Sequence, residues 1–122
     1  MKQDKIIQTA LKYAYRSVGR NIHVSLLVIR NKVISWGVNS YLKTSPKSYK
    51  NRFFFIHSEW DAIRRFNHRE NNIRRASLYN FRFARLDSSL LISKPCDDCY
   101  KLVTSFGVRS IFYTTENGLV QL

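Results

Sequence analysis

Two short motifs in this chain combine residue types that bind metals and transfer protons. Residues 57–59 are His-Ser-Glu, and residues 95–99 are Pro-Cys-Asp-Asp-Cys. Cys96 and Cys99 are three residues apart, so on a helix their sulfur atoms share one face. The helix N-terminus favours the thiolate form that a metal requires. The cysteine pair therefore predicts half of a zinc site.

His57 completes the predicted set of protein ligands. A closed structural zinc site needs four ligands, but the chain has two cysteines, and neither His23 nor His68 has a motif spacing to either cluster. Three protein ligands with one open position are typical of catalytic zinc, which lowers the pKa of its bound water to about 7. Glu59, two residues after His57, is placed to move protons at such a site.

Each of these residues also has a plainer interpretation. The cysteines could form a redox CxxC, but that motif normally follows the first strand of a βαβ unit, whereas Cys96 lies late in the chain. His57 could be a polar residue at a helix start, and Glu59 an acid favoured by the helix dipole. The presence of both motifs together favours the metal interpretation.

The combination of HxE and PCxxC resembles the signature of the zinc-dependent cytidine and deoxycytidylate deaminase superfamily. The resemblance covers most of the chain and implies one Zn²⁺ bound by His57, Cys96 and Cys99. It implies hydrolysis in which water adds to the ring carbon that bears the amine, C4 in cytosine, and ammonia leaves. Glu59 would take the proton from water and pass it to the ring nitrogen.

Details of the motifs distinguish the branches of this superfamily. Free-nucleoside cytidine deaminases usually carry Cys as the first ligand, so His57 favours the deoxycytidylate, tRNA-adenosine and polynucleotide-cytosine branches. Asp98 departs from the tRNA branch, and Ser93 with Lys94 departs from the Trp-Ser of the vertebrate polynucleotide branch. The chain is most similar to short deaminase-like proteins of phages and bacteria.

Three further residues are candidates for contact with the substrate. The resemblance implies a polar residue at the end of the second strand that holds the sugar or base, and Asn39 occupies that position. Phe55, in a run of three Phe, could stack on a base or pack in the core. Ser93, just before the second motif, is the third candidate.

The chain is strongly basic: 21 Lys and Arg against 8 Asp and Glu in 122 residues give a net charge of +13. Such a charge favours polyanionic partners, although a generally basic surface without a binding groove is the alternative. The residues predicted to bind nucleic acid flank the first motif: Lys43, Lys47, Lys50, Arg52, Arg64 and Arg65.

The function favoured by these patterns is deamination of cytosine to uracil in single-stranded DNA or RNA, where the base needs no extraction from a duplex. Three alternatives stay open. They are deamination of a free deoxycytidylate or cytidine nucleotide, with one Arg or Lys binding the phosphate; deamination of adenosine in tRNA; and a non-catalytic, zinc-stabilised module that binds nucleic acid. The resemblance also leaves a homo-oligomer open.

Hydrophobic periodicity and turn residues predict the elements that position these motifs. Helices are predicted over residues 5–17, 58–68 and 95–106, strands over 23–30, 33–39, 77–85, 108–114 and 119–122, and a long loop over 40–52. This order predicts one α/β domain over residues 1–122, a sandwich of mixed sheet and helices. The resemblance implies that this domain is a cytidine-deaminase-like α-β-α sandwich. Its central mixed five-stranded sheet ends in an antiparallel hairpin at residues 116–118.

No apolar run reaches the roughly 18 residues that a transmembrane helix needs. Asp4 and Lys5 interrupt the segment where a signal peptide would be apolar. Two cysteines three residues apart exclude a disulfide framework. The sequence therefore predicts a cytoplasmic protein without a membrane partner.

Overall fold

Three helices and seven strands follow one another in the computed structural model, which describes residues 3–41 and 55–122. The elements are α1 (Gln3–Tyr13), β1 (Asn21–Ile29), β2 (Lys32–Val38), β3 (Ser40–Tyr41), β4 (Phe55–Ile56), α2 (Ser58–Arg65), β5 (Ser77–Ala84), α3 (Asp97–Ser105), β6 (Ser110–Thr115) and β7 (Gly118–Gln121). Short 3₁₀ turns lie at Ala14–Arg16 and Ile73–Arg75.

Five of the strands form one mixed sheet in the order β2-β1-β5-β6-β7. β1 is antiparallel to both β2 and β5, whereas β5 and β6 are parallel. β7 returns antiparallel to β6. The parallel pair requires a crossover connection, and α3 lies in it. The predicted α/β class and the sheet that ends in a hairpin are confirmed.

Side chains alternate between the two faces of the sheet, and each face carries a helical layer. Val24 and Leu26 of β1 share a buried cluster with Ile6 of α1. Leu27, on the opposite face of the same strand, packs with Ile63 of α2 and also with α3. The result is the predicted α-β-α sandwich, whose buried apolar side chains supply most of the driving force for folding.

Several boundaries differ from those predicted. The turn between β1 and β2 consists of Arg30 and Asn31, not Asn31 and Lys32, and both have the positive φ angles, 51° and 62°, that a two-residue turn of this type needs. α2 ends at Arg65 rather than at residue 68, because the backbone of Phe66 is extended and its ring is buried. The predicted loop 40–52 was wrong at its start, since β3 pairs with β4.

α2 lies unusually close to β2, and one glycine permits this. A Cβ atom at Gly37 would lie 2.2 Å from the backbone nitrogen of Ala62 and 2.3 Å from the carbonyl oxygen of Ser58. Next to this contact, the fully buried Asp61 accepts a hydrogen bond of 3.0 Å from the backbone N–H of Val38. The helix is therefore held against the strand by close backbone packing and by a buried carboxylate.

No helix within residues 3–41 and 55–122 is long and apolar enough to cross a membrane.

We expect Gly37→Ala to lower the free energy of unfolding by about 3 kcal/mol, the upper end of the usual cost of overpacking, because the added methyl group meets backbone rather than a movable side chain. Urea denaturation measures the change. Lys32→Ala, on the exposed start of the same strand, is the control and should stay close to wild type. Equal stability of Gly37→Ala and wild type would contradict the close contact.

Candidate metal centre and its cavity

The N-termini of α2 and α3 bring the two sequence motifs together. His57 and Cys96 are the N-cap residues of these helices, so α3 begins at Asp97 and not at Pro95 as predicted. The Nδ1 atom of His57 lies 3.2 Å from the Sγ atom of Cys99 and 3.9 Å from that of Cys96. All three ligand atoms lie within 4.8 Å of one another.

These separations fit the geometry of a zinc ion. Tetrahedral zinc with one imidazole and two thiolates holds the ligand atoms about 3.5–3.8 Å apart, given its bond lengths. One nitrogen and two sulfur donors are also the ligand types that zinc prefers. The three residues present therefore match the metal in chemistry, and their ligand atoms lie near the spacing that it needs.

The three candidate ligands differ in burial. Cys99 is fully buried beside Leu102, in a cluster with Trp60 and Phe106. Cys96 is exposed, and the two cysteines form no disulfide. The centre is thus closed by the core on one side and accessible on the other.

Glu59 lies next to this centre and is buried, with 6% of its surface exposed. The side-chain amide of Asn80 donates a hydrogen bond of 3.0 Å to its Oε2 atom, and the hydroxyl of Ser58 donates one of 3.3 Å to Oε1. Asn80 also accepts a hydrogen bond from Ser25. A buried carboxylate needs such partners, and here they also fix its orientation.

Ser93 lies in the segment before α3 and connects three parts of the fold. Its hydroxyl donates to the carbonyl oxygen of Asn80 at 2.7 Å and accepts from the backbone N–H of Thr114 at 2.7 Å. The Asn80 side chain in turn donates to the carbonyl oxygen of Ser93 at 3.1 Å. The residue lies in the cavity wall, and its contact with the substrate stays a prediction.

Asn39 lies just after β2, is buried, and lines the same cavity. Its amide donates to the carbonyl oxygen of Val18 at 2.6 Å, and its Oδ1 atom accepts from the hydroxyl of Ser17 and from the backbone N–H of His23 at 3.3 Å. These contacts hold the chain before β1 in place. A role of Asn39 in binding the sugar or base stays a prediction.

The remaining predicted contacts fall into two groups. The side chain of Phe55 lies outside the described part of the chain, as do four residues predicted to bind nucleic acid: Lys43, Lys47, Lys50 and Arg52. Arg64 and Arg65 are described, and their Nε atoms lie 2.6 and 3.2 Å from the carboxylate oxygens of Asp61. Neither lines the cavity, and their binding of nucleic acid stays a prediction.

A cavity of about 250 Å³ opens beside the candidate metal ligands. Its wall includes His57, Cys96 and Glu59, and also three residues that the sequence analysis did not assign to the site, His23, Asn80 and Arg82. Each of the three is a polar residue within a predicted strand, which is a weak signal in the sequence. Only the pairing of β1 with β5, which sets His23 opposite Arg82, shows that they lie together.

The electrostatics of the cavity wall favour a neutral His23. Burial lowers the pKa of this imidazole below its usual value, the carboxylate of Glu59 raises it in part, and the positive charge of Arg82 lowers it again. At neutral pH the ring therefore carries no charge and can offer both a donor and an acceptor.

The comparisons with known proteins agree with this geometry. A sequence model of the family described as "Cytidine and deoxycytidylate deaminase zinc-binding region" matches residues 1–115. No curated protein matches the chain at a significant level.

Solved structures of similar fold include the dCMP deaminase of the cyanophage S-TIM5, with 20% identity, a TM-score of 0.65, and coverage of 91% of this chain and 82% of that one. The cytidine deaminase of Burkholderia pseudomallei has 12% identity, a TM-score of 0.71, and coverage of 100% and 92%. That of Mycobacterium leprae has 15% identity, a TM-score of 0.64, and coverage of 99% and 93%.

The structural similarities, at these low identities, concern the fold, whereas the sequence model spans nearly the whole chain. The resemblance inferred from the two motifs is confirmed, and so is zinc as the cofactor of the family, with His57, Cys96 and Cys99 as its candidate ligands. This chain belongs to the cytidine and deoxycytidylate deaminase zinc-binding family.

Proposed function

We propose that this protein is a zinc-dependent hydrolase that converts cytosine to uracil in a nucleotide substrate. The observation that carries the proposal is the buried carboxylate of Glu59, which shares one cavity with the metal ligands His57 and Cys96. A purely structural zinc site has no use for such a carboxylate. Zinc, when bound there, acts as a Lewis acid and lowers the pKa of water.

Glu59 is the residue that moves protons in the proposed reaction. Its carboxylate takes a proton from the attacking water and delivers it to the ring nitrogen N3, while the water oxygen bonds to C4. Glu59 then takes the remaining proton of the hydroxyl group added at C4 and passes it to the exocyclic amine. The C4–N bond breaks, ammonia leaves, and C4 becomes a carbonyl. Asn80 and Ser58 orient the two carboxylate oxygens through the hydrogen bonds already described.

The two thiolates contribute through their charge. Together Cys96 and Cys99 carry two negative charges, which balance those of the divalent ion. The side chain of Glu59 is then the nearby group that is available to gain and lose a proton. The thiolates thus balance the charge of the ion, and Glu59, which is not a ligand, transfers the protons.

The substrate could be cytosine within a single strand or a free nucleotide. The net charge of +13 favours cytosine in single-stranded DNA or RNA. The cavity of about 250 Å³ suits one small ligand, and the similar fold of a cyanophage dCMP deaminase favours a free deoxycytidylate. The described cavity favours a single nucleotide, and the charge of the chain favours a strand.

We place this activity in the cytoplasm. Two cysteines that form no disulfide and are positioned as metal ligands match a reducing compartment.

We expect the purified protein to contain one zinc ion per chain, and we expect Cys96→Ser, Cys99→Ser and His57→Ala each to lose most of it. Loss of metal should also lower the melting temperature, because binding energy at such a site contributes to folding. Elemental analysis by mass spectrometry measures the zinc. His68→Ala, whose ring lies outside the cavity, is the matched control. Full zinc content in all three ligand variants would contradict the site.

Glu59→Gln should keep zinc and fold while turnover falls about 10²–10⁴-fold, since the amide cannot accept the proton of the attacking water. Mass spectrometry detects cytosine-to-uracil conversion after incubation with single-stranded DNA, RNA, deoxycytidine monophosphate and cytidine. Glu70→Gln, an exposed acid, controls for the change of charge. A zinc-loaded wild type that converts none of these substrates, nor adenosine in tRNA, would instead make the protein a binding module.

Salt dependence separates the two forms of substrate. An enzyme that binds a strand through several phosphates loses affinity steeply between low and high salt, because each contact releases counterions. A mononucleotide enzyme weakens only mildly. We expect KM for a single-stranded oligonucleotide to rise at least tenfold between 50 and 200 mM salt if the strand is the substrate, an order of magnitude set by counterion release. A flat response would exclude a strand-binding surface.

A further inference from the structure

We propose that Arg82 and Lys94 form a phosphate subsite in the cavity, which binds the phosphate group of the cytosine nucleotide. The inference rests on the proposed function, because it assigns the second half of the same substrate. Both side chains line the cavity that contains Glu59 and the metal ligands His57 and Cys96. The candidate catalytic centre and the two basic residues therefore border one cavity.

The position of Arg82 follows from the alternation of β5. Residues two apart on a strand face the same side, so Arg82 lies on the face of Asn80, about 7 Å farther along the strand. Asn80 contacts Glu59, which marks the place of the reacting base. Arg82 therefore lies on the same side as the reacting centre but beyond it, where the sugar and phosphate of a nucleotide would extend.

Within the described residues, the guanidinium of Arg82 lacks one hydrogen-bond acceptor, which a ligand could supply. Its Nε atom is buried and has no hydrogen-bond partner among the described residues. One other nitrogen, Nη1, donates to the carbonyl oxygen of Ile92 at 3.4 Å. A buried donor of a charged group without an acceptor is unfavourable, so an acceptor that reaches the guanidinium would be bound favourably.

No carboxylate in the described part of the chain pairs with Arg82. The ion pairs found there both involve Asp61, which binds Arg64 and Arg65 away from the cavity. Glu59, the acid in the cavity wall, accepts its hydrogen bonds from Asn80 and Ser58. The guanidinium of Arg82 thus remains available for an acceptor from outside the chain, and a phosphate matches its planar, charged N–H groups.

Lys94 adds a second cation to the same cavity. It lies between Ser93, which hydrogen-bonds to β5 and β6, and the Pro95-Cys96 step that leads to the metal ligand. The backbone on its N-terminal side is therefore fixed, while its ammonium group is exposed. The positively charged side of the cavity is built by one residue from β5 and one from the segment before α3.

Two sources of phosphate share this chemistry: the monoester of a free nucleotide and the diester within a strand. We would measure kcat/KM for deoxycytidine, deoxycytidine monophosphate and a single-stranded oligonucleotide that contains one cytosine, with wild type, Arg82→Gln and Lys94→Gln. Arg69→Gln is the matched control, since this exposed arginine lies outside the cavity. Melting curves verify the fold, and Lys94→Gln tests the proposal even if Arg82→Gln unfolds.

Arg82→Gln should lower kcat/KM for a phosphorylated substrate about 10–100-fold, the range expected for hydrogen bonds to a charged group. Deoxycytidine, which lacks the phosphate, should change less than threefold. A loss confined to the monophosphate assigns the subsite to a free nucleotide, and a loss confined to the oligonucleotide assigns it to a strand. Equal losses on deoxycytidine and on the phosphorylated substrates, or no loss on any of them, would overturn the proposal.

Binding measurements separate this proposal from the deaminase activity. By calorimetry, wild-type protein should bind deoxyuridine monophosphate at least tenfold more tightly than deoxyuridine, and Arg82→Gln should lose that preference. If the wild type converts no substrate yet keeps this preference, the proposed function fails and the phosphate subsite stands. If deamination proceeds but the phosphate gives no gain in affinity, the subsite fails and the proposed function stands.

Discussion

The close approach of α2 to β2 is the constraint on which the site depends. Because Gly37 has no side chain, the backbone of α2 lies directly on the strand, and the buried Asp61 binds the strand end at Val38. The start of α2 carries His57 and Glu59, so this contact sets where the candidate metal ligand and the carboxylate lie relative to the sheet. The position of α3 must therefore place Cys96 and Cys99 next to His57.

A second set of contacts fixes Glu59 and the cysteine segment relative to the sheet. Asn80, on the central strand β5, connects Glu59 to the segment before α3 through its amide. Ser93, in that segment, also hydrogen-bonds to the backbone of Asn80 and of Thr114. The carboxylate of Glu59 and the segment before the cysteines are therefore both held in place by hydrogen bonds to β5. Buried polar networks of this kind rigidify a site when every member has its partners.

Sequence reasoning succeeded where chemistry is local. HxE and PCxxC are short motifs, so His57, Glu59 and the cysteines could be grouped without knowing the path of the chain. The sheet and its hairpin followed from hydrophobic alternation and turn residues. His23 and Arg82 could not be placed in the site, because their proximity depends on the register of β1 against β5. Arg64 and Arg65 showed only charge in the sequence, and their contact with Asp61 required the packing of α2.

The two cysteines differ in burial, so the candidate metal site is accessible only from the side of Cys96 among the described residues. Cys99 lies against the core, whereas Cys96 and His57 border the cavity. Among the described residues, the cavity is therefore a route by which an ion could reach the candidate ligands, and it is also the space assigned above to the proposed nucleotide. A nucleotide bound in that space would hinder both the entry and the loss of the ion. The same opening makes the Cys96 thiol the first point of oxidation in protein that has lost its zinc.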